Sequence, residues 1–268
     1  MAISGAALAP GAGKHTKLWL SLLLGLFNVR LGYWWNSGIS AGQRPGRYPP
    51  AFWQRLKGAP EWVLRAQSML LTEWRGYFRG PSERFWYLSD GGNFESSGLY
   101  ELIRRRLPFM GAIDAGDDPD YRCESFAAIA RLARIELGAQ LDWLDPDAAR
   151  QSGAGGWDAF AAGAPATPVP GWIRDWINPE AVGSLWEIGH GAPTCAALAR
   201  ITYGSAAPPS WLLVLKAAVT EAAPFDVREF AAQEPTFPNR PTADQFLGDD
   251  EWESYRQLGE AAAERLFL

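Results

Sequence analysis

Two apolar runs, each followed by a segment with helical spacing, constrain the fold of this chain most strongly. Phe85–Leu88 is predicted to be a short buried strand, which the glycines of the following SDGG end. After a helical stretch, residues 108–113 form the next predicted strand. Residues 124–137 are strongly amphipathic, with Gly138 as the helix stop. This strand–helix–strand–helix alternation predicts an α/β layer with parallel strands.

The ends of these strands carry acidic residues. In open sheets of this class, functional side chains gather beyond the carboxyl ends of the strands, where Asp90 and Asp114 both lie. Asp114 opens a loop that also contains Asp117, Asp118 and Asp120. Clustered carboxylates can bind a cation, but a calcium loop has a fuller ligand pattern, so a solvated acidic turn is the favoured interpretation. We therefore expect no metal site and no cofactor.

The chain divides by composition into three predicted segments. Residues 1–150 hold the alternating region, and residues 151–193 form a Gly/Ala/Pro-rich excursion without much regular structure. Residues 194–268 are expected to complete the same domain with a strand hairpin, CAALARITYG and SWLLVLKAAV, and two C-terminal helices. Apolar spacing also predicts helices over residues 17–35 and around residues 61–71.

Composition narrows the class of protein. The chain has 268 residues, 47% of them hydrophobic, which is enough for a globular core. Its net charge of -5 gives no electrostatic basis for binding nucleic acid. The most apolar run, Leu18–Val29, is shorter than the roughly 20 residues that a membrane span needs, and no signal peptide is visible. We expect a cytoplasmic chain without a transmembrane segment, with peripheral membrane contact as a further possibility.

Several other residues have simple structural interpretations. Cys123 and Cys195 lack CxxC spacing, which argues against a zinc site or a disulfide framework. His15 and His190 have no acid–base partner nearby in sequence and are expected to be structural or surface residues. The triplet at 104–106 is expected to be a solvated helix end. Seven of the fourteen tryptophans precede residue 90; core packing is favoured, and a lipid interface is the alternative.

Three segments together resemble the C-terminal half of large bacterial patatin-like phospholipase-related proteins, a group related to plant patatins and cytosolic phospholipases. The first is AISGAALAP at 2–10, similar to the small-residue stretch after the nucleophile elbow. The second is YLSDGGNFESSGLYELIRRR at 87–106, continued by DAGDDPDYRCESFAAIARLARIELG at 114–138. The third is PTFPNRPTADQFLGDDEWESYRQLG at 235–259. The resemblance implies part of a patatin-like three-layer sandwich, with a mostly parallel sheet between helices.

In that family a Ser-Asp dyad hydrolyses acyl esters, and the aspartate lies in a DGG or DGA motif. The resemblance therefore implies that Asp90 is the dyad aspartate, with Gly91 and Gly92 forming the tight turn of the motif. Asn93 stands where these bacterial relatives commonly have a histidine. The glycine-rich oxyanion loop and the GxSxG elbow of the family would precede residue 2. The chain is therefore expected to lack the nucleophile.

One segment matches GxSxG by its letters. Gly38–Gly42 places Ser40 at the nucleophile position, but an active elbow lies between a buried strand and a helix. The preceding WWN is too short for such a strand, and the proline-containing GQRPGRYPP that follows is incompatible with a helix. Ser40 is therefore interpreted as a loop serine.

The sequence leads to two functional hypotheses. The first is a portion of a patatin-like serine acylhydrolase, acting on phospholipid or another acyl ester, that is inactive alone. The alternative is a non-catalytic module that pairs with a separate N-terminal half or a membrane surface. Because the nucleophile elbow lies at the centre of such a sheet, its loss predicts an exposed apolar edge and marginal stability.

Overall fold

The computed structural model describes residues 33–39, 65–75, 84–88, 95, 97–161, 169–190, 192–204, 207–241 and 246–268. The chain forms two compact units, which cover residues 1–96 and 97–268. The predicted limits at residues 150 and 193 both fall inside the second unit, and as domain limits they stay predictions.

In its described residues the first unit contains a two-stranded antiparallel sheet and a helix. Its elements are β1 (Tyr33–Asn36), α1 (Arg65–Trp74) and β2 (Phe85–Leu88). The predicted strand at 85–88 is confirmed, but its hydrogen-bonded partner is β1. The prediction of a helix over residues 17–35 is wrong for its last three residues, because they pair with β2 instead of forming helical hydrogen bonds.

Aromatic side chains stabilise the β1–β2 pair. Trp34 packs edge-to-face on Tyr87, and Trp35 packs in the same way on Trp86, with ring centroids 5.3 and 5.5 Å apart. Such cross-strand aromatic pairs are a main source of stability in small sheets. The indole Nε1 of Trp34 also donates a 2.5 Å hydrogen bond to the buried carboxylate of Glu73 on α1. The aromatic residues of this pair thus pack as structural contacts.

The second unit contains seven helices and five strands in its described residues. The helices are α2 (Leu99–Arg104), α3 (Glu124–Leu132), α4 (Asp147–Gln151), α5 (Asp158–Ala161), α6 (Gly171–Arg174), α7 (Phe225–Gln233) and α8 (Asp249–Leu266). The strands are β3 (Phe109–Asp114), β4 (Gln140–Trp143), β5 (Val182–Gly183), β6 (Ala196–Thr202) and β7 (Ser210–Lys216). A π-helical turn (Ala133–Leu137) extends α3, and a 3-10 turn (Pro179–Ala181) precedes β5.

The five strands form one mixed sheet in the order β3-β7-β6-β4, with β5 also paired to β6. The pairs β3–β7 and β5–β6 are parallel, whereas β6–β7 and β4–β6 are antiparallel. Three strands, β3, β7 and β4, therefore point in one direction and two in the other. The α/β class is confirmed, and so is the predicted hairpin, which forms β6 and β7.

Both faces of this sheet are covered by apolar side chains, which explains why β6 and β7 are almost continuously hydrophobic. One face packs against α2 and α3 through residues including Met110, Leu212, Leu99, Ile103, Phe126 and Ile129. The other face packs against α5, α6 and the end of α8 through residues including Leu198, Trp211, Leu213, Phe160, Ile173 and Leu266. The result is a helix–sheet–helix arrangement within the second unit.

Local signals set the limits of the helix that begins at Glu124. Phe126, Ile129 and Ala133 lie on the predicted apolar stripe and are fully buried. The helical segment ends where Gly138 takes a φ of 61°, a left-handed conformation that glycine adopts without a Cβ clash. The predicted helix and its stop are both confirmed.

The segment predicted as an excursion is packed into the core over much of its described length. Its elements are short, as expected from the Gly/Ala/Pro composition. Ile173, Ile177, Val182, Leu185 and Ile188 are nevertheless almost inaccessible to solvent. These five apolar side chains contribute to both faces of the sheet core, so this part of the excursion is integrated into the second unit.

Candidate functional site

The residues that the sequence singles out as catalytic lie outside the described part of the chain. These are Asp90, Gly91, Gly92 and the loop serine Ser40. The structure describes only residues that precede them in the chain. β2 ends at Leu88, and the N–H of Gly38 donates to the Asn36 side chain at 3.1 Å. The dyad role of Asp90 and the loop role of Ser40 stay predictions.

A second group of predicted residues forms a well-defined polar cluster at the carboxyl ends of β3 and β7. Asp114 and Lys216 are the last residues of these parallel strands and are direct partners in the register. The Nζ atom of Lys216 lies 3.0 Å from Oδ2 of Asp114 and 3.2 Å from Oδ2 of Asp118. The lysine is only 1% exposed. We call Asp114, Asp118, Lys216 and Tyr121 the strand-end cluster.

The loop that follows β3 is folded around the two carboxylates of this cluster. Asp114 accepts a 2.9 Å hydrogen bond from the N–H of Gly116. Asp118 accepts from the N–H groups of Arg122 and Cys123 at 2.8 and 3.0 Å. These bonds satisfy two backbone donors just before α3 begins and hold the loop in place.

Two residues of the same loop have a strained backbone. Tyr121 and Cys123 have φ angles of 48° and 53°, in the left-handed region that residues with a Cβ rarely occupy. Strain of this kind costs on the order of 1–3 kcal/mol per residue and persists only where surrounding contacts enforce it. The hydrogen bonds to Asp118 and the packing of Tyr121 are those contacts.

Tyr121 joins the cluster to three other parts of the second unit. Its ring lies 5.9 Å from the Lys216 ammonium, and its hydroxyl donates to the carbonyl of Ala217 at 3.2 Å. Burial raises the pKa of this hydroxyl, and the nearby side chain of Asn239, which is itself buried, opposes that rise. The ring covers Gly189, where a Cβ would lie 2.3 Å from the ring carbons. Glycine is therefore required at position 189.

The surroundings fix the protonation states of the cluster. Burial lowers the pKa of Lys216, but the hydrogen bonds and charges of Asp114 and Asp118 outweigh burial and raise it overall. Burial likewise raises the pKa of Asp118, while the N–H groups of Cys123 and Arg122 and the Lys216 charge bring it below the usual value. Both groups are therefore charged near neutral pH.

These states limit the chemistry of the cluster. A protonated lysine held by two carboxylates is not available as a base or a nucleophile. Burial, with the charge of Asp118, raises the pKa of the Cys123 thiol to about 11, so Cys123 is not an activated thiol either. The cluster is a clamp that fixes the strand ends and the loop between β3 and α3.

The interpretation of the acidic loop as a solvated turn is wrong for two of its four aspartates. Asp117 and Asp120 are exposed, as expected, but Asp114 and Asp118 pair with a buried cation. Sequence reasoning did not single out Lys216, although it is the one charged residue at the end of the apolar run SWLLVLK. A lysine in that position signals an acidic partner, because lysine is rarely buried unpaired.

The other predicted residues occupy unremarkable positions. Arg104 and Arg105 are exposed at the end of α2 and bond Glu101, which confirms a solvated helix end. His190 is exposed, with its ring edge-to-face against Tyr121 at 6.1 Å, and His15 lies outside the described residues. The two cysteines are free and buried.

Neither a metal site nor a membrane span emerges from the part of the chain that the structure describes. Within it, three or more histidine, cysteine, aspartate or glutamate side chains never come together as metal ligands. Helices in the same residues are too short or too polar to cross a bilayer.

Four tryptophans of the described residues, Trp35, Trp172, Trp186 and Trp252, are between 43% and 64% exposed.

Comparisons with known proteins found no matching family. Neither protein-family models, nor curated proteins, nor solved structures gave a match to this chain.

Proposed function

We propose that this chain is a portion of a patatin-like acyl ester hydrolase that carries the dyad aspartate, Asp90. In this proposal Asp90 orients and activates a serine that is supplied by another segment or polypeptide, and backbone amides there stabilise the oxyanion. The substrate class is phospholipid or another lipid acyl ester. The working location is the cytoplasm, with peripheral contact to a membrane and no role for nucleic acid.

The observation that carries this proposal is that residues 97–106, 114–138 and 235–259, which belong to the second and third resembling segments, lie in one folded unit. Residues 97–106 contribute Leu99 and Ile103 to the same core cluster as Phe126 and Ile129 of the stretch at 114–138. Sequence segments that resemble one domain are expected to pack together if the resemblance is real.

The third resembling segment comes close to the second at one buried position. The side chain of Asn239, from PTFPNRP, lies near the hydroxyl of Tyr121, from DAGDDPDYR, and opposes the larger effect of burial, which raises the pKa of that tyrosine. Tyr121 in turn packs on Lys216, whose partner Asp114 ends β3. Asp114 and Tyr121 thus lie at the carboxyl ends of the parallel strands β3 and β7, where α/β proteins place their functional loops.

A direct assay tests the proposal. The purified chain is mixed with a polypeptide that contains a strand–GxSxG–helix elbow and is encoded beside it, and release of p-nitrophenol from a medium-chain ester is measured. We expect activity only in the mixture, lost in Asp90→Ala and retained in Asp117→Ala, an exposed aspartate outside the motif.

Other outcomes reject parts of this proposal. Activity of the chain alone that disappears in both Asp90→Ala and Ser40→Ala would show that Ser40 is the nucleophile. An inactive mixture would reject the hydrolase in favour of the non-catalytic module. The exposed Trp172, Trp186 and Trp252 favour that second candidate, since exposed aromatics are enriched at binding surfaces. Flotation with neutral phospholipid vesicles tests it directly.

A further inference from the structure

The outer edge of β3 carries a second inference, which does not depend on the proposed activity. β3 is the terminal strand of the five-stranded sheet. The carbonyls of Pro108 and Asp114 accept hydrogen bonds on the β7 side, from the N–H groups of Trp211 in β7 and of Ala217 directly after it. Backbone groups alternate in direction along a strand. Phe109, Gly111 and Ile113 therefore direct their N–H and C=O groups away from the sheet.

Among the described residues this edge has few of the features that normally prevent strands from associating. From Phe109 to Ile113 the strand has no charged residue and no proline. Ile113 is 79% exposed, and Gly111 is exposed as well. Among the described residues β3 has one strand partner, β7. Such an uncharged edge is a template for an added strand.

We propose that the outer edge of β3 pairs antiparallel with the same edge of a second copy of this chain, with the two-fold axis at Gly111. An antiparallel pair requires outward-facing residues to stand opposite one another, which limits the choice of register. Centring the pair on Gly111 places Phe109 opposite the second copy's Ile113. An interface of this kind uses the same surface twice, as closed dimers do.

The side chains of β3 complement themselves in this register. Aromatic residues opposite β-branched ones are among the favourable cross-strand pairs, and both lie on one face with the glycine between them. Phe109 already packs edge-to-face on Trp172 at 5.6 Å, so the incoming isoleucine would extend an existing aromatic surface. Asp114 falls opposite Pro108, and like charges are therefore not brought together.

The space around Gly111, at the proposed two-fold axis, is also compatible with a second strand. Gly111 has a φ outside the left-handed region, and a Cβ built on it meets no atom within 4 Å. The central position is therefore open to the approach of another backbone. Opposed Cα atoms in a hydrogen-bonded antiparallel pair lie about 5.5 Å apart.

The oligomeric state of the full chain tests the inference. In sedimentation velocity at about 100 µM, where weak association is detectable, we expect a species of twice the 29.5 kDa chain mass. Ile113→Lys should yield the monomer, because it places a charge in the apolar pair. The matched control is Ile135→Lys, at an equally exposed position (80%) on the π-helical turn after α3, and it should remain dimeric.

A backbone variant supplies independent evidence. Gly111→Pro removes an outward N–H without removing a bond to β7, so it should also give the monomer. Hydrogen exchange should show amide protection at Gly111 and Ile113 that rises with protein concentration. A monomeric wild type, or dimers that persist in both Ile113→Lys and Gly111→Pro, would overturn the proposal. Loss of the dimer in Ile135→Lys as well would also overturn it.

Discussion

The two edges of the five-stranded sheet use the same charge pairing in different surroundings. On one edge, Asp114 of β3 stands opposite Lys216 of β7, and on the other, Asp142 of β4 stands opposite Arg200 of β6. The first pair is 3.0 Å apart with the lysine 1% exposed, whereas the second is 3.4 Å apart with the arginine side chain 10% exposed. An ion pair at a strand edge can thus be either a buried clamp or a partly solvated contact.

The edges differ equally in what they present to other molecules. β4 has four residues, and Gln140 and Asp142 bring polar groups to it, joined by a 2.9 Å hydrogen bond. β3 has six residues and carries its charge only at Asp114, which is turned into the strand-end cluster. The polar side chains of β4 protect its edge from pairing with another strand. The charged side chain of β3 instead binds the strand-end cluster, so the outer edge of β3 carries no such protection.

Removal of the buried cation should have the largest effect. Lys216→Met leaves two partly buried carboxylates without their counter-ion, so we expect the free energy of unfolding to fall by about 3–5 kcal/mol. Urea denaturation followed by tryptophan fluorescence measures the loss. Arg104→Ala, which breaks an exposed pair, is the control and should leave the midpoint of the urea titration nearly unchanged.

A combined variant separates charge from packing in that experiment. Adding Asp114→Asn and Asp118→Asn to Lys216→Met removes the uncompensated charges and should restore part of the lost stability. A triple variant no more stable than Lys216→Met would show that the lysine stabilises the fold through its aliphatic packing.

The corresponding change at the other edge should have a smaller effect. Arg200→Met breaks the pair with Asp142, whose side chain is 28% exposed and can be hydrated when its partner is lost. We expect a loss of about 1–3 kcal/mol in the same urea titration, in the range of a hydrogen bond to a charged group. A loss as large as that of Lys216→Met would contradict the distinction between the two edges.

Acid should weaken the strand-end cluster. The folded pKa of Asp118 is lowered, so its contribution to stability is present above its unfolded pKa of about 4 and is lost as the pH falls through the folded value. The pKa of Lys216 is raised, so its contribution is complete below its unfolded pKa of about 10.4 and is lost as the pH rises through the folded value.

This pH dependence can be measured by thermal unfolding in a pH series. The acid limb should be shallower in Asp118→Asn than in the wild type, because the variant has no carboxylate to protonate at that position. An unchanged acid limb would show that Asp118 does not couple folding to pH.

The smallest effect is expected on the open edge itself. In dilute solution, where the chain is monomeric, Ile113→Lys should change the free energy of unfolding by at most about 0.5 kcal/mol, because the side chain is 79% exposed. At high concentration the wild type should melt at a higher temperature than this variant, since association stabilises the folded form. A melting temperature independent of concentration in the wild type would contradict dimer formation at this edge.

Local patterns predicted much of the second unit. The amphipathic helix from Glu124, its stop at Gly138 and the hairpin of β6 and β7 were all readable, because each depends on neighbouring residues. The burial of Ile173 and Ile177 was not readable, because isolated apolar residues in a Gly/Ala/Pro-rich stretch have no periodicity.

Contacts between residues distant in sequence were the main features that the sequence did not predict. The pairing of β1 with β2 joins residues about fifty positions apart, and Tyr33–Asn36 also fits the end of a helical pattern. The strand-end cluster joins Lys216 to residues about one hundred positions earlier, and only the fold reveals that partnership. The acidic residues were visible as candidates, but their counter-ion was not.

The two buried thiols have a practical consequence. Cys123 is one of the strained residues of the loop before α3, and Cys195 faces a narrow crevice lined partly by Leu258, Ala261 and Ala262 of α8. Because both side chains are inaccessible and burial raises the pKa of both, a thiol reagent can modify them only when the surrounding structure opens. The labelling rate of Cys123 in the unmodified protein therefore measures how often the loop at the strand ends opens. The labelling rate of Cys195 measures how often α8 separates from the residues it packs against.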